Sequence, residues 1–420
     1  MTYDFSTLGA LVGLALAIFL IVKKVQPVYS LLLGALAGGM IGGGGLEITV
    51  NTMVTGAQGM ISSVLRILTS GILAGSLIKS GAAEKIAEVI VEKLGEKRGI
   101  LAIAVATMII CAVGVFVDIS VITVAPIALA IGKRANYNKP SILLAMIGGG
   151  KAGNIISPNP NTIAIAEAFD LDLTTLMYRN VIPAIFALIA TVIVASFLRK
   201  KNGDPVTEKD LEQREFTDLP SFWASICGPI VVVVLLALRP LFQIAIDPLI
   251  ALPLGGFVCA VTTGQVRKFK LYTEFGLSKV IGVCVLLLGT GTIAGIIKAS
   301  ALQYDAVNLL EMMNMPAFIL APIAGIFMAG ATASTTAGAT IASQTFASTL
   351  LSAGIPALSA GAMIHAGATV IDSLPHGSFF HATGNAANVG IKERMRLIPY
   401  EAIVGLTSTL VAVVIYLILG

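Results

Sequence analysis

Helix-length apolar runs recur from one end of this sequence to the other. Each run is about 16 to 20 residues long, which is the length an α-helix needs to cross the hydrocarbon core of a bilayer. The chain has 420 residues, of which 56% are hydrophobic and only 12% charged, far from the balance of a water-soluble domain. The sequence therefore predicts an all-α polytopic membrane protein, located in the cell (inner) membrane with many passes.

The remaining composition favours no other class. The net charge of +4 comes from basic residues in short connectors, so it indicates membrane orientation rather than nucleic-acid binding. The four cysteines stand in apolar segments without metal or redox spacing, which predicts buried thiols. The first run, Thr7–Val22, is followed by Lys23 and Lys24 and preceded by no basic residue, which is typical of a retained membrane helix and not of a signal peptide.

A helix-length window predicts seven membrane segments on either side of a charged stretch. That stretch, residues 199–221, is predicted to be an exposed cytoplasmic linker between a first repeat, 1–198, and a second, 222–420. The segments of the first repeat are Thr7–Val22, Tyr29–Gly44, Ile61–Ile78, Ile100–Phe116, Ile119–Ile131, a broken segment Ser141–Phe169, and Val181–Leu198. Those of the second are Trp223–Leu238, Leu249–Thr263, Val280–Ile297, Ala317–Ala333, Thr335–Leu350, a broken segment Ala357–Val389, and Tyr400–Leu419.

The basic residues predict the orientation. With both termini extracytoplasmic, almost all lysines and arginines, Lys279 included, fall in cytoplasmic connectors, and only Arg179, Arg239 and Lys298 remain outside. Ile119–Ile131 and Thr335–Leu350 are short for full crossings, so each is alternatively one half of a re-entrant hairpin.

An odd number of crossings in each half requires the second half to lie upside down relative to the first. Sequence matches support such a duplication, because Gly71, Ala74, Gly75 and Ser80 recur in the second half at a constant separation, as Gly291, Ala294, Gly295 and Ser300. Inverted repeats suit alternating access, in which a site between the halves opens to one side and then to the other.

The first break in a membrane segment, residues 148–162, carries the densest polar signal. Two prolines and several glycines interrupt the helix, and an interrupted helix at membrane depth is tolerated only against protein or a water-filled cavity. The side chains predicted to bind substrate here are Lys151, Asn154, Ser157, Asn159 and Asn161. A substrate carboxylate would pair with Lys151. Alternatively, the Lys151 side chain extends toward the cytoplasm or pairs with Asp118 or Asp372.

The second break, residues 367–381, lies at the matching position, since Pro375 corresponds to Pro158. Asp372 and His376 are predicted to couple transport to an ion because both can change protonation when buried. Ser373 and Ser378 are predicted to contact substrate. The histidines could instead make only structural hydrogen bonds, and the choice between H⁺ and Na⁺ stays open.

Two further polar sets lie deep in apolar segments. Asp118 is predicted to take part in ion coupling, with Arg66 as its partner or as a second contact for an anion. Thr335 and Thr336 are predicted to line the substrate cavity, although hydroxyls in membrane helices also commonly bond to their own backbone.

The stretch Ser157–Glu167, reading SPNPNTIAIAE, resembles the Pro-rich signature of the gluconate permease (GntP) family within the wider ion transporter superfamily. The likeness extends over nearly the whole chain in length, crossing number and duplicated halves. It implies a secondary carrier for sugar acids and other small hydroxy or amino carboxylates, generally driven by protons. It also implies a homodimer with a scaffold and a moving transport domain.

These observations predict a symporter for a small organic anion, coupled to H⁺ or Na⁺, with no cofactor and no nucleic-acid partner. A sodium/proton antiporter using Asp118 and Asp372 is the alternative, against which the amide-rich loops and Lys151 argue. A membrane enzyme has no support, since neither a metal-ligand cluster nor a nucleophile with a nearby base is visible.

Overall fold

The computed structural model describes residues 4–420 except 96–97, 202, 212–217, 245, 303, 306–307, 309–311, 313–315 and 376, and leaves out the side chains of 239–241. The described chain is helical and forms no strand; its only β-bridges are two isolated pairs, Phe5 with Ser300 and Asn138 with Pro205. This is the architecture of a polytopic membrane protein, as the sequence predicts.

The helices of the first half are α1 Thr7–Val22, α2 Pro27–Ile41, α3 Gly45–Gln58, α4 Ile61–Lys79, α5 Ala82–Leu94, α6 Gly99–Ala112, α7 Val117–Arg134, α8 Lys139–Asn154, α9 Pro160–Ala168, α10 Leu173–Arg179 and α11 Val181–Leu198. Those of the second half are α12 Phe222–Phe242, α13 Pro248–Thr262, α14 Phe269–Lys298, α15 Leu320–Thr332, α16 Thr335–Ser352, α17 Ala357–Gly367, α18 Ser378–Ala386 and α19 Ile391–Leu419.

Long apolar helices cross the molecule. In the part of the chain that the structure describes, four helical stretches are long and apolar enough to span a bilayer: Gly45–Lys79, Val181–Leu198, Val266–Lys298 and Ile391–Leu419. On α11 the large side chains of Ile182, Ile185, Ile189 and Ile193 are exposed at helical spacing. Such a stripe of exposed isoleucines is suited to lipid and not to water.

The helices pack as two groups. The first helix group comprises α1–α4 and α12–α14, and the second comprises α6–α11 and α15–α19, with α5 lying between α6 and α12. Glycines allow the closest approach in the first group, where α4 crosses α14. A Cβ atom on Gly276 would collide with the carbonyl oxygen of Gly71, so only glycine fits at this crossing.

Two helix pairs of the second group form hairpins with interior tips. The chain turns between α6 and α7 at Gly114, with φ +109°, and between α15 and α16 at Ala333, with φ +47°. Helix α6 has 14 residues and α15 has 13, about 20 Å of helix each and short of the roughly 30 Å of a hydrocarbon core. The two segments expected to be short lie in longer helices, since α7 and α16 have 18 residues each, and the re-entrant alternative stays a prediction. Replacing two crossings by one hairpin in each half leaves the number of crossings odd.

Part of the linker is docked rather than exposed. Asn138 bridges to Pro205, and the ammonium of Lys139 lies 2.7 Å from a carboxylate oxygen of Asp210, at the start of α8. Burial alone would raise the pKa of Asp210, but hydrogen bonds from Lys139 and Thr207 outweigh it and hold that pKa below its ordinary value. Within residues 203–211 only Val206 and Asp210 are buried, because ion pairing fastens this segment to the helix end, whereas most of the other residues are exposed, as predicted for a linker.

Candidate functional site

Four helix N-termini meet at one cavity of about 240 Å³, the central cavity. These are the starts of α7 and α16, at the two hairpin tips, and of α9 and α18, at the two helix breaks. The cavity is lined by Phe116, Val117, Asp118, Ile119, Asn154, Asn161, Lys279, Val283, Ser334, Thr335, Thr336, Ser378 and Phe379. Only Lys279 and Val283 belong to the first helix group, so the cavity lies at the boundary between the two groups.

Helix N-termini make the central cavity electropositive. Each N-terminus carries unpaired backbone N–H groups and the positive end of the helix dipole, which together favour an anion. Side chains cap two of them, Asn159 on α9 and Ser334 on α16, while Asp118, in the first turn of α7, accepts from the N–H of Ile119 at 2.9 Å. Among the described residues no side chain caps α18 at Gly377, so its first N–H groups keep their binding capacity.

Asparagines organise the break between α8 and α9. The side-chain oxygen of Asn159 accepts from the backbone N–H groups of Asn161 and Thr162, at 2.9 and 3.2 Å. The side-chain oxygen of Asn154 accepts from the amide groups of Asn159 and Asn161, at 2.5 and 3.0 Å. The Asn154 amide nitrogen, the Asn161 amide oxygen and the Ser157 hydroxyl are buried without a partner. Because Asn154 and Asn161 line the central cavity, a polar solute there could satisfy two of these atoms.

Lys279 is a cavity residue that the sequence analysis missed. It was assigned to a cytoplasmic connector because the apolar run begins at Val280, but α14 already begins at Phe269. Lys279 is therefore inside a helix, exposed, with its ammonium 5.1 Å from the centre of the Phe275 ring. The stretch Phe269–Lys279 contains charged residues but no proline, and this is the sequence signal for a helix that begins before Val280.

Four charged side chains form a cluster behind the central cavity, which we call the buried charge cluster: Lys151, Asp372, Arg394 and Glu401, each at most 2% exposed. The ammonium of Lys151 lies 2.6 Å from a carboxylate oxygen of Asp372, 2.6 Å from the carbonyl oxygen of Thr369 and 4.0 Å from Glu401. Arg394 forms an ion pair with Glu401. Two cations and two anions give the cluster a formal charge of zero.

Thr335 connects the buried charge cluster to the central cavity. It lines the cavity, and its hydroxyl donates a 2.5 Å hydrogen bond to the second carboxylate oxygen of Asp372. The hydroxyl of Ser373 donates to the first oxygen at 3.1 Å. Both oxygens of Asp372 thus accept hydrogen bonds, and one of the two donors, Thr335, lines the central cavity.

The structure divides the residues that the sequence analysis assigned to the site. Those that line the central cavity are Asn154, Asn161, Thr335, Thr336, Ser378 and Asp118; those that lie outside its lining are Lys151, Ser157, Asn159, Ser373 and Asp372. Lys151 follows the pairing alternative, with Asp372 as its partner. His376 lies outside the described residues. His381 shares a hydrogen bond with the carbonyl of Pro375 at 2.8 Å, whereas His365 is buried and neither of its ring nitrogens has a partner.

Arg66 does not pair with Asp118, and that expectation is wrong. The guanidinium of Arg66 forms ion pairs with Glu167 on α9 and with Asp247 before α13, the latter at 2.8 Å. Two carboxylates from other elements already hold it, one from each helix group. Arg66 therefore ties the two groups together away from the central cavity.

Sequence comparison relates nearly the whole chain to known permeases. Residues 5–419 match the model of the GntP family permeases. A transporter of Haemophilus influenzae with no characterised function is 56% identical over 411 residues, covering 98% of both chains. A high-affinity gluconate transporter of Escherichia coli is 24% identical, covering 83% of this chain and 86% of that protein. The D-serine transporter DsdX of the same species is 22% identical, covering 78% and 79%.

The fold also has a solved counterpart. The YdaH transporter of Alcanivorax borkumensis superposes with a TM-score of 0.68 over 87% of either chain, at 15% sequence identity. At that identity the likeness concerns the fold alone.

Proposed function

Because the chain belongs to the GntP family of permeases, we propose that it is a secondary active symporter for a small organic anion, a sugar acid or other hydroxy carboxylate, coupled to H⁺ or Na⁺. The central cavity carries this proposal. Four helix N-termini and the Lys279 ammonium favour a negative charge there. The amide nitrogen of Asn154 and the amide oxygen of Asn161, which have no partner among the described residues, offer hydrogen bonds to hydroxyl groups.

The size of the cavity supports a small solute. A volume of about 240 Å³ has room for roughly eight water molecules, enough for one compact polar molecule. Gluconate and D-serine, after which two relatives are named, share a carboxylate with a polar group on the neighbouring carbon. A ring of N–H groups for the carboxylate and amides for its polar neighbour would accept that common unit.

Alternating access is supported by a second cavity on the same boundary. It measures about 620 Å³ and lies between α3, α14 and α16, with Asn51, Lys298 and Gln344 in its wall. Along α14 the central cavity ends at Val283 and the second cavity begins at Gly291, which separates them by roughly 12 Å of helix. Two cavities at different depths along one interface are what a moving second helix group would open in turn.

The packing supports two inverted repeats, 1–198 and 222–420. When each helix of the first half is paired with its counterpart in the second, the contacts of one half recur in the other. The pair α2 and α14 corresponds to α13 and α4, the pair α7 and α18 to α16 and α9, and the pair α6 and α8 to α15 and α17. With inverted halves, both termini lie outside the cytoplasm and the basic connectors inside. We further propose a homodimer, following the resemblance of the sequence to its superfamily.

Asp118 favours a sodium/proton antiporter as the second candidate. Its carboxylate faces the central cavity, where a cation could bind it. The four N-termini around it oppose a bare cation, however, which makes anion transport the better supported function.

Transport in proteoliposomes tests the proposal. Purified protein should accumulate labelled D-gluconate or D-serine against its gradient when an inward proton or sodium gradient is imposed, and protein-free vesicles should not. Unlabelled hydroxy and amino carboxylates then rank the substrates by competition. Exchange of Na⁺ for H⁺ without any organic solute, together with no uptake of these acids, would establish the antiporter instead.

A further inference from the structure

We infer that Asp372 binds the coupled proton and that Thr335 links this event to binding of the anion, with one proton carried for each monoanion. This inference rests on the proposed function, since it needs an anion in the central cavity. It goes further by naming the residue that passes proton binding at Asp372 on to the anion site, and the stoichiometry. The contacts of Asp372, Thr335 and Lys151 carry it.

Thr335 has a single hydroxyl proton to donate. In the structure that proton goes to the second oxygen of Asp372, at 2.5 Å. A charged carboxylate is a strong acceptor, so it holds the hydroxyl proton on its side. Thr335 then presents only oxygen lone pairs to the cavity that it lines. Those lone pairs repel an anion.

Protonation of Asp372 reverses this orientation. A neutral carboxyl is a weaker acceptor than a carboxylate and can itself donate to the Thr335 oxygen. The Thr335 hydroxyl can then rotate and donate to an anion in the central cavity. Proton binding thus supplies a hydrogen-bond donor to the site, and a bound anion in turn favours the protonated carboxyl, because coupling between two sites is reciprocal.

Lys151 can tolerate the loss of its partner's charge. Its ammonium also contacts the carbonyl oxygen of Thr369 at 2.6 Å and lies 4.0 Å from Glu401. A lysine with Asp372 as its sole partner would be left as an uncompensated buried charge after protonation. In the cluster of four, Lys151 keeps the carbonyl of Thr369 and Glu401 as neighbours, and the one net positive charge of the protonated cluster is offset by the anion in the central cavity.

The other carboxylates are less suited to bind the coupled proton. Glu401 is already paired with the guanidinium of Arg394. Asp118 accepts from the N–H of Ile119 in the first turn of α7 and lies in the cavity wall. Its protonation would remove a negative charge but would turn no neighbouring donor toward the anion.

Charge counting gives the stoichiometry. Among the residues that the structure describes, the groups around Asp372 are Lys151 on α8, Arg394 and Glu401 on α19, and the hydroxyls of Thr335 and Ser373, and together with Asp372 their formal charges sum to zero. Asp118 and Lys279 in the cavity wall cancel each other. One proton plus one monoanion leaves this total unchanged, so loaded and empty forms can cross between the two faces at similar electrostatic cost.

The test compares variants in proteoliposomes by two assays, exchange of labelled for unlabelled anion, and accumulation driven by a pH gradient. For the unmodified protein the apparent affinity should rise as the pH falls, by at most tenfold per pH unit for one proton. Asp372→Asn should retain exchange at every pH but lose accumulation. Asp170→Asn, in an exposed loop at φ +50°, is the matched control and should behave like the unmodified protein.

Thr335 variants keep the test valid if Asp372→Asn does not fold. Thr335→Val should weaken anion binding at low pH by on the order of tenfold, as expected for one lost hydrogen bond to a charged group, and should flatten its pH dependence. Thr335→Ser should restore both. Thr407→Val removes a hydroxyl bonded only to the carbonyl of Ile403 in its own helix, and should change neither.

Membrane potential tests the stoichiometry, because electroneutral uptake should not respond to a potential set with potassium and valinomycin. Three results would overturn the inference and leave the proposed function standing. Uptake could follow a sodium gradient, or it could respond to membrane potential. Proton coupling could also be lost in Asp118→Asn and kept in Asp372→Asn. Absence of any anion uptake by the unmodified protein would instead overturn the proposed function itself.

Discussion

At the scale of single residues, Lys279 is the one cationic side chain among those that line the central cavity. It comes from the first helix group, whereas the four helix N-termini come from the second. An anion in the proposed site would contact both groups at once. We therefore expect Lys279 to contribute to binding only in the conformation that brings α14 against the cavity.

Removing this charge should weaken substrate binding. We expect Lys279→Gln to raise the KM for uptake about tenfold and not more, because the side chain is exposed to water that screens its charge. Lys279→Arg should keep most of the affinity. Lys270→Gln is the control, since Lys270 is on the same helix with an 88% exposed side chain and should leave the KM unchanged. An unaltered KM in Lys279→Gln would remove Lys279 from the site.

The asparagines of the first break are found by a hydropathy reading of the sequence, and Lys279 is missed by it. Asn154 and Asn161 stand in an apolar segment, where an amide has few explanations other than a cavity. Lys279 stands where an apolar run meets charged residues, and a hydropathy window ends the helix there. The pairing of Lys151 was open for a similar reason, since a sequence does not show which buried carboxylate is near.

At the scale of helices, glycines set how closely α4 and α14 approach. A methyl group on Gly276 would meet the backbone of α4, so it would push the two helices apart. The same helix carries Gly282, where an added Cβ would meet nothing within 4 Å. One helix thus offers both a crowded glycine and an open one.

We expect Gly276→Ala to destabilise the protein by about 1–3 kcal/mol, the usual effect of overpacking. Gly282→Ala should be neutral or slightly stabilising, because alanine suits a helix better than glycine. Thermal unfolding followed by size-exclusion chromatography in detergent compares them. Equal stability of the two variants would contradict the close crossing of α4 and α14.

Two of the four interruptions are predicted outright, and the two hairpin tips only as the alternative to full crossings. Prolines mark the ends of α8 and α17, so both were found from sequence. The hairpin tip at Ala333 has a non-glycine residue at positive φ, a conformation that its neighbours impose and its own chemistry does not favour. Segments ending at such a tip look like ordinary crossings in a hydropathy window.

At the scale of the whole molecule, the two halves surround one boundary and contribute to it equally. Each supplies one hairpin tip and one helix break to the central cavity. Hydropathy and repeated glycines predict most of the apolar helices and a division into halves, but they miss α3. The grouping of helices across the halves does not, because it depends on which faces meet in space.

Reporter fusions test the orientation of the halves. Alkaline phosphatase fused after Gly420 should be active, because both termini are predicted to lie outside the cytoplasm, where that enzyme folds with its disulfides. The same enzyme fused after Lys201, in the linker, should be inactive. The reverse pattern would show the opposite orientation in the membrane, with the basic connectors outside, where such connectors are usually not found.

The zero net charge of the buried charge cluster also bears on energy waste. A proton that entered without an anion would leave one uncompensated positive charge at depth, at an effective cost of several kcal/mol. Since 1.4 kcal/mol is a factor of ten, transport of a proton without an anion should be slower than transport of both together by on the order of a hundredfold or more. We expect this carrier to leak few protons when its substrate is absent, so a cell could keep it in the membrane at little loss of its proton gradient.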